Sequence, residues 1–188
     1  MRQRFGQLLF ILCAFAAAAS AQTTASRIAI VDSDGFRDEK TGIMKFVTAL
    51  KAVEASVEPD RKELQTLNDR LKALGNEIQA LQAQNAKVPV DPRTYNAKVE
   101  QAEQLQRDIK FKTDNANAKL ASSRQTILPP VVDAIGKALA DFAKQKGYTV
   151  IFDVARDQNG LLIALGDEKA NVTKEFIAYF NALPANKP

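Results

Sequence analysis

The chain has 188 residues, with 26 Lys and Arg, 22 Asp and Glu, and a formal net charge of +4. This charge is small for a general polyanion binder, so nucleic acid is not an expected partner. The sequence contains no His, no Trp and a single Cys. These absences exclude histidine-based catalytic triads and the commonest metal sites. The composition therefore argues against an enzyme, and no cofactor or metal is expected.

Residues 1–21 have the pattern of a cleavable secretory signal. Arg2 and Arg4 give a positive start, and an uncharged apolar run extends from Leu8 to Ala19. The small residues of Ala19-Ser20-Ala21 suit signal peptidase, which predicts cleavage after Ala21. The apolar run is shorter than the ~20 residues that a membrane-spanning helix requires.

Cys13 lies inside this apolar run and follows Leu12, whereas a lipid-attachment signal has a small residue before its cysteine. We therefore interpret Cys13 as an ordinary apolar residue that is removed with the signal. The mature chain from Gln22 onward then has no cysteine and forms no disulfide.

Three short strands are predicted. The first, Arg27 to Asp32, ends at the turn cluster Ser33-Asp34-Gly35, and the second spans Tyr148 to Val154. The turn Asp157-Gln158-Asn159-Gly160 contains the Asn-Gly pair that favours a hairpin, and Leu161 to Leu165 is predicted to be the returning strand. Strand edges that stay open favour self-association.

A long helix is predicted to begin near Ile43, because apolar residues recur at spacings of three and four as in a coiled-coil seam. Pro59 lies inside this run and is predicted either to kink the helix or to mark a new start. Asp60 is the one polar member of this seam. The seam consists of Ile43, Phe46, Leu50, Val53, Val57, Asp60, Leu64, Leu67, Leu71, Leu74, Ile78 and Leu81.

Residues 87–93 contain two prolines and are predicted to be the tip of a helical hairpin. A second helix from about Thr94 to about Leu128 carries a thinner stripe: Tyr95, Val99, Ala102, Leu105, Ile109, Ala116, Leu120 and Ile127. Antiparallel pairing about the tip brings together three pairs of positions: Leu81 with Ala97, Leu71 with Arg107, and Leu64 with Asp114.

Pro129-Pro130 is predicted to be a joint that separates this helix from a third one, which Gly147 ends. The stripe of the third helix is Val131, Ile135, Leu139 and Phe142. Asn171 is predicted to cap a last helix. The inner face of that helix is Val172, Phe176, Tyr179, Phe180 and Leu183.

The predicted fold class is α+β. A long antiparallel coiled-coil hairpin, residues 43–128, forms an arm that is inserted in a small sheet-and-helix body. Residues 22–42 and 129–188 form the body, which is predicted to be the oligomerisation domain.

This arrangement resembles the Skp/OmpH family of periplasmic chaperones. The matching parts are Arg27 to Asp32, the charged heptad hairpin, Gly147 to Asp153 and the closing helix from Asn171. The resemblance implies a periplasmic homotrimer whose three arms surround a cavity like tentacles. It also implies that unfolded outer-membrane proteins are held there without ATP. The arms are less basic than is usual in the family, so contact with a membrane surface or lipopolysaccharide is left open.

Candidate client-binding residues are the cations at and near the tip, Lys87, Arg93 and Lys98. Residues 60–128 carry 12 Lys and Arg against 9 Asp and Glu, a mild positive bias. The seam residues of the arm are expected to pack rather than bind: Leu64, Leu67, Leu71, Leu74, Ile78 and Leu81.

Other motifs carry two interpretations each. Asp32, Asp34 and Asp153 at strand ends suit a metal or acid–base site, but turn formation is the favoured interpretation. The Asp157-x-Asn159-Gly160 sequence has the middle of a calcium loop without its outer ligands and is interpreted as a β-turn. Asn171-Val172-Thr173 matches a glycosylation acceptor, and the helix cap is preferred.

The alternative function is a structural one, a periplasmic coiled-coil spacer or adaptor without chaperone activity. An efflux adaptor would need more β segments around the hairpin than this chain offers. A carboxylate enzyme, the third interpretation, would need a pocket around Asp32 and Asp153.

Overall fold

The computed structural model describes residues 27–85, 89, 91–157 and 167–184. Within these ranges two long helices form a hairpin beside a small sheet. The elements are β1 (Ile28–Val31), α1 (Met44–Asn85), α2 (Pro92–Lys146), β2 (Val150–Asp153) and α3 (Thr173–Ala182), with short 3-10 turns at Ser33–Arg37, Val154–Arg156 and Glu168–Ala170. The signal, the Asn-Gly turn and the returning strand predicted at Leu161 to Leu165 lie outside the described residues.

The sheet joins the two ends of the helical hairpin. β1 and β2 are parallel, with Ile28 opposite Val150 and Ile30 opposite Phe152. A parallel pair requires a long crossover, and here the whole α1–α2 hairpin is that crossover. Both strands are shorter than predicted. A bridge from Ile30 to Asn171 ties the start of the last segment to the same sheet.

The hydrophobic core lies where the sheet, the body ends of α1 and α2, and α3 meet. Phe142, Phe176 and Phe180 are fully buried, and the rings of Phe142 and Phe176 are 5.6 Å apart in an edge-to-face arrangement. The inner face predicted for the last helix is confirmed, with Tyr179 and Leu183 partly buried against the core. Sequence patterning missed several members of the core: Phe36, Val47, Ala49, Ala138 and Ile177.

Pro59 does not begin a new helix. α1 runs without a break from Met44 to Asn85, so the predicted alternative of a new start is wrong. A proline removes one backbone donor, and the carbonyl it leaves unpaired belongs to Ala55, which is exposed and can be hydrated. Burial of Val53 and Val57 in the two turns before the proline stabilises the helical path that leads into it.

The predicted joint at Pro129-Pro130 is also wrong, because both prolines lie inside α2, which extends from Pro92 to Lys146. The two prolines remove donors to the carbonyls of Gln125 and Thr126, and both residues are exposed. Downstream, the stripe of the predicted third helix packs against the core, with Val131 and Phe142 buried. That packing offsets a local cost of about 3 kcal/mol or more per proline.

Gly147 and Asn171, the two predicted cap residues, lie next to the ends of body helices. Gly147 follows α2 with φ 70°, the left-handed conformation that favours glycine, and its N–H bonds to carbonyls of the last turn. At the other end of the body, Oδ1 of Asn171 accepts hydrogen bonds from the backbone N–H of Thr173 at 3.1 Å and from its hydroxyl at 2.7 Å. The predicted N-cap is therefore off by one residue: Val172 takes that position without a side-chain cap hydrogen bond, and Asn171, one residue earlier, binds the first residue of α3.

Candidate functional site: the distal arm

The distal arm is the part of the hairpin formed by residues 60–85 of α1 and 91–128 of α2. In α1 the last buried residue is Val57, and in α2 the first is Val131. None of the described residues between these two positions is buried. At 1.5 Å per residue, the part of α1 from Val57 to Asn85 extends about 42 Å from the core. The arm is therefore two helices thick along its length, and no third element covers it in the described chain.

The predicted seam residues of the distal arm reach only partial burial. Each predicted α1 seam residue from Leu64 to Leu81 is half-buried, and so is every member of the stripe predicted on α2. Two helices alone cannot enclose such a stripe. Apolar side chains of the seam consequently remain partly accessible from the sides of the hairpin.

Polar contacts between the helices confirm the predicted antiparallel register. The side-chain pairs that cross from α1 to α2 include Asp60 with Lys119 at 2.8 Å, Glu63 with Lys112 at 2.7 Å, Glu77 with Lys98 at 2.5 Å, and Gln82 with Tyr95 at 2.8 Å. Every ion pair places the carboxylate on α1 and the ammonium group on α2. Asp60, the one polar member of the predicted seam, is thus matched by a lysine.

The three cations expected to bind clients lie in different environments. Lys87 is outside the described residues. Arg93 is exposed in the first turn of α2, where its backbone N–H bonds to the capping carboxylate of Asp91 at 2.9 Å. Lys98 is half-buried and holds the two helices together through its ion pair with Glu77.

Some of the remaining charges on the arm are paired within a helix. The Lys110 ammonium group lies 2.9 Å from Asp114, and the hydrogen bond to that carboxylate raises the pKa of Lys110. Arg107 lies 3.9 Å from Glu103. Exposed pairs of this kind contribute little to stability, but they cancel charge locally and so take these cations out of the set available to a client.

Phe111 is an exposed aromatic residue on the arm that the seam analysis missed. Its exposed fraction is 66%, although burying a phenylalanine is usually favourable by ~1.5–3 kcal/mol. The sequence did contain a signal of this exposure, because Phe111 comes two residues after Ile109 and so falls outside the three-and-four spacing of the stripe predicted on α2. A large apolar residue off the packed face is a candidate for contact with a partner.

The strand-end carboxylates form turns, as favoured in the sequence analysis. Oδ1 of Asp153 accepts from the backbone N–H of Ser33 at 3.1 Å and of Ala155 at 3.2 Å. Asp32 accepts from the N–H of Asp34 at 3.0 Å. No cluster of three or more potential metal-binding side chains is found in the described part of the chain.

A protein-family model described as "Outer membrane protein (OmpH-like)" matches residues 28–180, from the first strand to the last turns of α3. The chain belongs to the OmpH-like family. No curated protein matches the chain.

The match covers both ends of the body as well as the arm, so the OmpH-like assignment concerns the whole described fold. The OmpH-like family is a periplasmic chaperone family, not an enzyme family, and its members bind outer-membrane proteins. Among the helices in the described ranges, none is both long and apolar enough to cross a membrane.

Proposed function

We propose that this protein is a periplasmic holding chaperone that binds unfolded outer-membrane proteins without ATP. The observation that carries the proposal is the distal arm, a two-helix hairpin that projects ~42 Å from the core with its apolar seam only half covered. A free-standing hairpin of this kind offers many weak apolar and ionic contacts. Such contacts suit a client that must be kept soluble and then released.

The proposal includes assembly into a trimer whose arms surround the client. Support comes from the outer face of the sheet, the side turned away from the core. Ile28, Val150 and Phe152 on this face have exposed fractions of 55%, 39% and 56%. Three large apolar side chains on one small sheet form a surface that a second copy of the chain would cover.

Replacing Phe152 with aspartate is expected to break the assembly and leave the fold intact. The change places a charge in an interface that excludes water, which is costly, whereas in the free subunit Phe152 is exposed. Sedimentation equilibrium of residues 22–188 should give a trimer for the wild type and a monomer for Phe152→Asp at micromolar concentration. Phe111→Asp serves as the control, because it makes the same change on the arm. A monomeric wild type would contradict the cavity arrangement.

Client capture is proposed to have an electrostatic part carried by Lys87 and Arg93 at the tip. Lys98 belongs to the same predicted set, but its ion pair with Glu77 also joins the helices. Its replacement would therefore change both the grip and the arm. Electrostatic steering of the client is therefore tested with the double variant Lys87→Gln and Arg93→Gln. We expect this variant to bind the client with a lower association rate at low salt.

The proposed function is tested by diluting a urea-denatured outer-membrane β-barrel protein into buffer, with and without residues 22–188, and following light scattering. Suppression of scattering at stoichiometric concentrations and without ATP is the expected result. Unchanged scattering would favour the structural alternative, a coiled-coil spacer.

A further inference from the structure

A row of lysines runs along one side of the distal arm and has a gap. Lys98, Lys112 and Lys119 occupy the same heptad position of α2, and each pairs with a carboxylate on α1. The fourth member of this row, between Lys98 and Lys112, is Leu105. The row of ion pairs is therefore interrupted at one rung.

The facing row on α1 is interrupted at the same rung. Glu63 and Glu77 occupy equivalent heptad positions and bind their lysines, but Arg70 stands midway between them. Arg70 is exposed and has no ion pair or side-chain hydrogen bond with any described residue. On α1, Arg70 thus stands at a position where the row otherwise has carboxylates. On α2, Leu105 stands at the matching position, where the row otherwise has lysines.

An open groove of about 460 Å³ lies at this interruption. Arg70 lines one wall, Leu74 and Leu105 contribute half-buried apolar surface, and Asp108 lies on the other wall. Asp108 accepts a hydrogen bond from the side chain of Gln104 at 2.9 Å. The groove therefore combines apolar surface with a guanidinium group and a carboxylate, Arg70 and Asp108, neither of which has an ion pair with a described residue.

Phe111 does not line the groove itself but lies beyond Asp108 along α2. Gln104, Asp108 and Phe111 follow one another at spacings of four and three and so share one helix face. The rise of α2 puts Phe111 about 9 Å along the axis from Leu105. This separation corresponds to about three residues of an extended chain, at ~3.3 Å each.

We propose that this side of the arm, which we call the Arg70 groove, binds an extended segment of an unfolded client. The segment that it binds carries a carboxylate close to an aromatic or large apolar side chain. The inference rests on the proposed function and names the chemistry of the contact. The client carboxylate supplies the partner that Arg70 lacks in the row of ion pairs. The client's apolar side chain covers Leu105 and Phe111, which the hairpin cannot cover itself.

The test measures the affinity of the full chain from Gln22 for a fluorescently labelled, denatured outer-membrane β-barrel protein by anisotropy. Arg70→Gln is compared with Lys72→Gln, which removes the same charge from a second exposed cation that has no ion pair with any described residue. The two positions point about 200° apart on the helix. Phe111→Ser is compared with Phe111→Leu, which keeps an apolar side chain.

Arg70→Gln and Phe111→Ser are each expected to weaken binding about threefold to fivefold, the range of an exposed charge pair or a small apolar contact. Both controls should bind like the wild type. In 1 M NaCl, where the screening length is ~3 Å, the Arg70 effect should disappear and the Phe111 effect should persist. Circular dichroism should show equal helicity for all variants.

Equal binding by Arg70→Gln and Lys72→Gln, or wild-type binding by Phe111→Ser, would overturn the Arg70 groove while leaving chaperone activity in place. In a separate measurement, binding of the same variants to phosphatidylglycerol vesicles is compared. Loss of vesicle binding by Arg70→Gln with client binding unchanged would assign the groove to lipid and overturn the inference. A wild-type protein that binds no client would instead contradict the proposed function itself.

Discussion

Replacing Phe142 with alanine is expected to lower the free energy of unfolding by about 3–5 kcal/mol. Phe142 is fully buried and contacts the rings of Phe176 and Tyr179 at centroid distances of 5.6 Å and 5.4 Å. It is the buried ring of α2 that packs against α3, so its loss leaves a cavity between the two. Since domains are stable by only about 5–15 kcal/mol, this single change removes a large part of the total.

Urea unfolding followed by circular dichroism measures the effect, and Phe111→Ala is the matched control. Both variants delete the same atoms, but Phe111 is exposed on the arm, so its loss should change the stability by no more than about 0.5 kcal/mol. Equal destabilisation by the two variants would contradict the location of the core.

Leu71→Asp is expected to open the distal arm while the body stays folded. Leu71 is half-buried at the helix interface, and the change removes apolar contact and places a carboxylate against the seam. We expect the arm to lose about 2 kcal/mol or more of local stability. The core at Phe142 and Phe176 is untouched, so the two parts respond separately.

Hydrogen exchange resolved along the chain measures this separation. Protection should fall between residues 60 and 120 in Leu71→Asp and stay at wild-type level in the body helices. Lys72→Asp is the control, because it adds a carboxylate at the adjacent position, which is exposed. If Leu71→Asp leaves arm protection and client holding unchanged, Leu71 does not face α2.

The helical hairpin and its register could be predicted because they rest on a repeated signal. The apolar spacing from Ile43 to Leu81 recurs over many turns, and the two prolines between residues 87 and 93 fix where the chain reverses. With the tip fixed, the pairing of Leu64, Leu71 and Leu81 follows by counting. Repetition makes such a prediction tolerant of single exceptions such as Asp60.

The prolines inside the helices could not be assessed in the same way. Local rules predict a kink or a new start at Pro59 and a joint at Pro129-Pro130, because each ring removes a donor and crowds the preceding turn. Whether the break occurs depends on how much burial the flanking turns gain in the tertiary structure. Val57 and Val131 are buried, and this burial cannot be predicted from the residues around each proline.

The candidate site was predictable in kind but not in detail. Net charge pointed to the cations of the arm, but charge counts do not say which of them are already paired. Lys98 has a carboxylate partner across the hairpin, whereas Arg70 has none within the described chain. That distinction depends on the register of α1 against α2. It also depends on position 105, where a leucine stands at the heptad position that is a lysine at 98, 112 and 119.

The central claim, that the arms hold an unfolded client in solution, is tested most directly by sedimentation velocity of a client–chaperone mixture detected by tryptophan fluorescence. The chain contains no Trp, so a tryptophan-containing outer-membrane protein is the only species observed. We predict that the diluted client sediments as one soluble complex larger than the chaperone alone, and that it shifts to the folded species when detergent micelles are added. Client that sediments as aggregate, or at the rate of its free form, in the presence of excess chaperone would contradict the account.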